Sequence, residues 1–426
     1  MKSLLKISAI SLLAAVSPSS AIPIASPQRI VGLVGSPEQI CTLDPGNFNT
    51  WSLSGASFFL DGFIADNGPS QWANKLDQMR TSSGAVIPSF QRCNDIIAGS
   101  CDVPMMPCVE FNPPQLRYVR EAMAGLFRVL RAFHEELQDQ TLITSLGLGM
   151  IANDFTTPQS DVNIAGVIAG AFGIGAAAAA GAPVVGGPLG AISGIFSIIS
   201  AIDGDQNNVA LSISARLSAA FVASQKQLVD IAEAAFGGTS DTSILRSVTP
   251  ISQGTNMERT DIGKFFAGGR WLFPASRDVG QEVKQVTERA TVRMRQALMI
   301  QALKTEGMSV IIDAARDKFE ECTPTGSRFI NGKCYSIGQR VPGSGPAAVI
   351  YIPREQALKL DNSYYQLNVE EFYMNAEACA KANPNGDGQP PSQGFPLDGS
   401  LPPCFFNMDV IDGRGFTDQV SPIGPR

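Results

Sequence analysis

The residues that could carry chemistry in this chain are few and unevenly placed. Of 426 residues one is histidine, His134, and eight are cysteines. A Ser/His/Asp or Cys/His arrangement would have to use His134, yet no G-x-S-x-G turn occurs, and "HEEL" lacks the second histidine of an H-E-x-x-H zinc site. Set in a helical pattern beside Glu135 and Glu136, His134 reads as a solvated or helix-face residue. Two loops approach a calcium-binding pattern. "NPNGDGQ" places Asn383, Asn385, Asp387 and Gly388 at loop positions 1, 3, 5 and 6, but Gly394 stands at position 12, where a bidentate Glu is required. "DGDQNN", from Asp203, lacks both the Gly and the terminal Glu, so both stretches read as turns. A carboxylate pair could hydrolyse a glycoside, but no local spacing among the 39 acidic residues singles out two. No catalytic, metal or cofactor-binding set follows from these residues, and a hydrolase with unassigned carboxylates is the third of three functional readings.

The cysteines point to structure. Cys41, Cys93, Cys101 and Cys108 precede residue 109, and Cys322, Cys334, Cys379 and Cys404 follow residue 321. An even count without any C-x-x-C predicts disulfides, in up to 105 connectivities, rather than zinc ligands or nucleophiles. Cys322 could close on Cys334 around the Asn331-Gly332 turn. The middle of the chain carries no cross-link.

The destination follows from the first residues. "MKSLLKISAISLLAAVSPSSA" combines Lys2 and Lys6, an apolar stretch from Ile7 to Val16, and small residues at Ser19 and Ala21. That is the pattern of a secretory signal cleaved after Ala21, and its apolar core is too short to anchor the chain. The closing "SPIGPR" has no hydrophobic tail of the kind a glycolipid anchor signal needs. A secreted, extracellular protein is expected. With 39 acidic against 32 basic side chains and a net charge of -7, the chain lacks the cationic surface that phosphate contacts require, so nucleic acid is set aside as a partner.

The elements that must position these residues fall into blocks. Residues 22–113 are rich in Gly, Pro, Asn and Ser and read as irregular, disulfide-held structure. In "PPQLRYVREAMAGLFRVLRAFHEELQDQ", Leu116, Val119, Met123, Leu126, Leu130, Phe133 and Leu137 recur at helical spacing. Arg117, Arg120, Arg128, Arg131 and Glu135 fill the other side, and Pro114 stands near the first turn. A second amphipathic helix carries Ile213, Leu217, Phe221, Leu228 and Ile231, with Gly237 as its stop signal. A third, 278–322, places Val283, Val286, Ala290, Met294, Ala297 and Val310 on one face. Such helices bury their stripes against one another, which predicts an antiparallel bundle over 114–321. Residues 322–426 read as a small α+β module: a type I′ hairpin at Asn331-Gly332, strands in "AAVIYIP" and "CFFNMDVIDGRG", and a helix in "NVEEFYMNAEACAKA". The fold class expected is mainly α, a helical bundle around an apolar hairpin flanked by disulfide-rich ends.

That hairpin is the most distinctive stretch. Residues 162–202 contain no charge, and "APVVGGP" divides 164–202 into two arms of equal length, 164–182 and 184–202. At about 1.5 Å per helical residue each arm is about 28 Å long, near the hydrocarbon thickness of a bilayer. The first arm has five strong apolar residues, Ile164, Val167, Ile168, Phe172 and Ile174, worth about -1.5 to -3 kcal/mol on an insertion scale, which its glycines offset. The second arm, with Leu189, Ile192, Ile195, Phe196, Ile198, Ile199 and Ile202, is stronger. Gly186, Gly190 and Gly194 fall four apart, spacing that lets helices approach closely in lipid and equally in a soluble core. Insertion would then be conditional, drawing on helix contacts and on self-association at a target membrane. Ile164, Phe172, Ile174, Leu189, Ile192, Ile195, Phe196 and Ile199 are its candidate residues. Burial as the bundle core is the alternative.

The spacing "CNDIIAGSCDVPMMPC", with Cys93, Cys101 and Cys108, followed by an amphipathic helix and a Gly/Ala-rich apolar stretch, resembles a family of secreted fungal proteins of unknown function. The likeness covers about residues 85–235 and implies a fungal source and an extracellular destination, with no catalytic residue. More distantly, the order helix, uncharged hairpin, helix is similar in architecture to helical pore-forming toxins. The first functional expectation is a non-enzymatic effector or toxin-like protein with a role in virulence, directed at a target-cell membrane or a host surface protein. The second is a soluble secreted binding protein whose hairpin is core and whose disulfide-rich ends do the recognising.

Overall fold

The structure is a computed structural model that describes residues 35–79, 92–138, 144–155, 171, 213–248, 258–315, 320, 322–324, 326–341, 348–383, 401, 404–414 and 417–418. Helices dominate. In chain order they are α1 (Pro37–Cys41), α2 (Thr50–Leu53), α3 (Ala56–Asn67), α4 (Trp72–Asp77), α5 (Gln115–Gln138), α6 (Leu148–Asp154), α7 (Ile213–Phe236), α8 (Ser243–Val248), α9 (Asp261–Phe266), α10 (Val279–Thr305), α11 (Arg354–Lys359) and α12 (Val369–Ala382).

α5 is the helix about which the others assemble. Its expected stripe, from Leu116 to Leu137, is buried throughout. The face expected to meet water is covered in part: Arg120 is buried, Arg117, Arg128 and Arg131 are half-buried, and Glu135 is exposed. Tyr118 is buried and donates its hydroxyl to the Ile40 carbonyl at 2.6 Å, and Arg120 is fully buried against Asp77 of α4. The reason is the number of neighbours: α3, α7 and α10 all pack on α5, so an amphipathic helix has become a central one. His134, read from the sequence as solvated or on a helix face, is a buried helix residue.

Where α5 passes Trp271, the two backbones come close enough that only glycine fits. A Cβ at Gly125 would lie 2.1 Å from the Trp271 carbonyl oxygen. All three tryptophans, Trp51, Trp72 and Trp271, are buried, and the indoles of Trp72 and Trp271 donate to the carbonyls of Ala235 and Phe265, each at 3.0 Å. These large rings, two of them with bonded N–H groups, supply much of the apolar area that the core removes from water.

The N-terminal region departs from the expectation of irregular structure, because residues 37–77 hold α1 to α4. Gly55 and Gly68, both at positive φ, punctuate this segment into short helices instead of abolishing them. In α3 the set Ala56, Leu60 and Ile64 recurs every fourth residue and is buried, a pattern masked by the surrounding turn residues.

The third expected helix is shorter than its charge pattern suggested. α10 ends at Thr305, Gly307 takes φ 76°, and the Met308 amide donates back to the Leu303 carbonyl at 3.1 Å. The β-branched run Val310-Ile311-Ile312 then forms β1 (Ser309–Asp313), so Val310 is buried in a sheet and not on a helix face. β2 (Arg328–Ile330), β3 (Lys333–Arg340), β4 (Ala348–Tyr351), β5 (Val410–Asp412) and β6 (Thr417–Asp418) complete a sheet of order β5-β1-β3-β4-β6, with β2 also on β3. The sheet thus starts ahead of residue 322. β1/β3, β2/β3 and β3/β4 are antiparallel, whereas β1/β5 and β4/β6 are parallel. The β2–β3 turn has φ 50° at Asn331 and 76° at Gly332, the two positive values a type I′ hairpin requires. β4 and α12 fall where the sequence placed a strand and a helix.

Candidate functional site

The eight cysteines form four disulfides: Cys41–Cys108, Cys93–Cys101, Cys322–Cys334 and Cys379–Cys404. Each pair stays within its own end of the chain. Cys41–Cys108 ties α1 to the approach to α5, and Cys93–Cys101 closes a short loop between α4 and α5. The other two fix the sheet module: Cys334 lies on β3, and Cys379 ties α12 to the segment before β5.

The titratable groups sit mostly in structural roles. Burial holds the His134 imidazole below its ordinary range, with Glu135 opposing. Asp61 of α3 accepts from the Thr260 amide at 2.8 Å, the Thr260 hydroxyl at 2.7 Å and the Arg259 amide at 3.1 Å. Burial alone would raise its carboxyl, but these donors outweigh it and lower it. Beside it the Ser57 hydroxyl donates to Glu258 at 2.6 Å, so the strand of chain 258–260 is pinned along α3.

In the C-terminal module Glu377 plays the same part. Tyr335 donates to its Oε2 at 2.6 Å, and Lys333 and Lys381 meet its Oε1 at 2.9 and 3.0 Å. Burial pulls the carboxyl up, yet the three donors hold it down at about 2. Its lone pairs are spent on anchoring α12 to β3, and burial together with that bond pushes the Tyr335 phenol up. Among the described residues no group of three or more His, Cys, Asp and Glu side chains is arranged to hold a metal ion.

One cleft stands apart from these anchors. It has a volume of about 180 Å³ and is lined by Gln71, Ala73, Asn74, Cys93, Asn94, Phe236, Gly237 and Gly238. Three elements meet here. The first is the start of α4, with Gln71 at φ 53°. The second is the short loop closed by Cys93–Cys101, which Asp95 tightens by accepting from the Ala98 amide at 2.9 Å. The third is the end of α7, where Gly237 takes φ 81° and the Gly238 amide donates back to Glu233 at 2.7 Å, the stop that the sequence placed at Gly237.

Two bonds lock α4 to α7: Gln71 amide to Gly237 carbonyl at 2.7 Å, and Trp72 indole to Ala235 carbonyl at 3.0 Å. A Cβ at Gly237 would strike the Trp72 amide nitrogen at 2.8 Å, so this junction requires glycine. Among the described residues no charged one lines the cleft. Its polar groups are side-chain amides, which offer hydrogen bonds but no acid, base or nucleophile, and its chemistry is that of binding.

Of the residues singled out in the sequence, the cysteines are brought together as described and Cys93 borders the cleft. Gln71, Asn74 and Asn94 were not foreseen, because isolated amides in turn-rich text carry no periodicity or motif. The insertion candidates Ile164, Phe172, Ile174, Leu189, Ile192, Ile195, Phe196 and Ile199 lie outside the described residues. So do Asn385, Asp387 and Gly388. Among the described residues no helix is long and apolar enough to cross a membrane. Comparison with protein-family models, with curated proteins and with solved structures finds no match for this chain.

Proposed function

We propose that the chain is a secreted, effector-like binding protein that acts by recognition at a target-cell surface, with its disulfide-stapled N-terminal region as the recognition face. The observation that carries this reading is the cleft at the α4–α7 junction, whose walls are fixed by a disulfide and two hydrogen bonds and whose polar side chains, among the described residues, are amides. A site fixed before its partner arrives loses less conformational freedom on binding. Four disulfides fit the oxidising, extracellular destination that the signal-like N-terminus predicts.

Binding of the fluorescently labelled mature chain to intact plant, animal and microbial cells tests the proposal. Saturable binding to one of these, abolished by Cys93→Ser with Cys101→Ser, supports recognition through this face. The absence of saturable binding to all three refutes it.

A second reading rests on one observation of its own, the uncharged run 162–202 with its small residues four apart. In this reading the run enters a target membrane, assisted by self-association. Purified chain would release dye from liposomes between acid and neutral pH, and Ala178→Asp and Ile195→Asp would suppress the release. Dye retention by wild type across that range removes this reading.

A further inference from the structure

We propose that the cleft between α4, the Cys93–Cys101 loop and the end of α7 binds one neutral pyranose sugar unit; the inference rests on the recognition reading above and names the ligand class of that site. The first ground is its hydrogen-bonding character. Gln71, Asn74 and Asn94 line one small space, Gln71 and Asn74 exposed at its rim and Asn94 half-buried, and among the described residues none of their side-chain amides bonds to another protein group. A side-chain amide presents two N–H donors and a carbonyl acceptor, the complement of neighbouring ring hydroxyls, each of which both donates and accepts.

The second ground is what the lining lacks. A phosphate, carboxylate or ammonium entering the cleft would give up water without meeting an opposite charge, since among the described residues none that lines it is charged. Neutral ligands are favoured on that count alone.

Shape narrows the class further. Ala73, Cys93 and Phe236, all buried, also border the cleft. The volume of about 180 Å³ falls below the roughly 300–1,000 Å³ of sites for larger organic ligands. A peptide backbone could also pair with amides, but it needs a groove that runs past several residues, whereas this space is bounded by eight of the described residues. The walls are already in place, held by Cys93–Cys101 and by the bonds from Gln71 and Trp72 to the end of α7. Gly238 leaves room beside Asn94, whose Nδ2 would sit 3.0 Å from a Cβ at that position.

The test is a titration of the full mature chain, followed by saturation-transfer NMR. The probes are the methyl glycosides of glucose, mannose, galactose and N-acetylglucosamine, with glucuronate, glucosamine and an alanine tripeptide blocked at both ends as contrasts. At least one neutral glycoside should bind saturably, and neither charged sugar nor the peptide should. Asn74→Ala and Asn94→Ala should each weaken that affinity by about five-fold, the loss expected for one hydrogen bond, with unchanged thermal unfolding. Three results overturn the proposal: no saturable binding by any neutral glycoside, an affinity unaltered in the Asn74→Ala, Asn94→Ala double variant, or preferential binding of the peptide. Cell binding that persists in the double variant but disappears with Cys93→Ser and Cys101→Ser overturns the sugar site and leaves recognition by the stapled face standing. Sugar binding without cell binding does the reverse.

Discussion

Arg120 of α5 and Asp77 at the end of α4 form an ion pair from which water is excluded, with side-chain exposures of 0% and 7%. Burial draws the guanidinium down to about 10 from its ordinary value, and Asp77 opposes that drift, so the arginine stays charged at neutral pH. The pair holds the N-terminal helices on the central one. Asp77→Ala would leave a buried cation without its carboxylate and should cost about 3–5 kcal/mol in urea unfolding. Arg120→Met together with Asp77→Leu, of similar bulk, should cost much less. Equal losses in the two variants would show that the pair contributes packing and not charge compensation.

Glu377 predicts a pH dependence. Its folded value of about 2 lies below the ordinary 4.5, so it binds its proton less readily when folded. The stabilisation is present above pH 4.5 and is lost as pH falls from there towards 2. Glu377→Gln should lower stability at pH 7 by about 2–3 kcal/mol, and the difference from wild type should shrink across that acid window. Chemical unfolding followed at a series of pH values reads this directly. A difference that does not vary with pH would place the effect in packing.

The disulfides make a covalent prediction. Peptide mapping without reduction should recover Cys41–Cys108, Cys93–Cys101, Cys322–Cys334 and Cys379–Cys404, and no peptide joining the two ends of the chain. Cys41–Cys108 closes the longest loop, a separation of 67 residues, and its removal by paired serine substitutions should cost about 4 kcal/mol by the loop-entropy account. Cys93–Cys101 spans only 8, so its loss should act more on the cleft wall than on global stability.

Gly125 predicts the cost of a single methyl group. The helix propensity of alanine favours Gly125→Ala by about 1 kcal/mol. The Trp271 carbonyl 2.1 Å from the new Cβ reverses that gain. We expect net destabilisation of about 1–3 kcal/mol in thermal or chemical unfolding, the range for forced overpacking. Stabilisation would mean that the α5–Trp271 approach relaxes at little cost.

The sequence by itself determined the elements whose signals are local. Leu116 to Leu137 announce α5 through their spacing, Gly237 ends α7, and Asn331-Gly332 makes the hairpin, because each depends on residues a few positions apart. The even cysteine count implied disulfides for a similar reason. The tertiary structure decided what depends on neighbours distant in the chain. Arg120 and His134 lie on what reads as a solvent face, and only the arrival of α4, α7 and α10 encloses them. The short helices of residues 37–77 and the strand at Val310 were obscured because turn residues and a preceding charged helix dominate their local text. The cleft is the clearest case: Gln71, Asn94 and Gly237 are separated by long stretches of chain, and nothing in their local sequence brings them together. A disulfide and two hydrogen bonds do that only once α4 and α7 have packed.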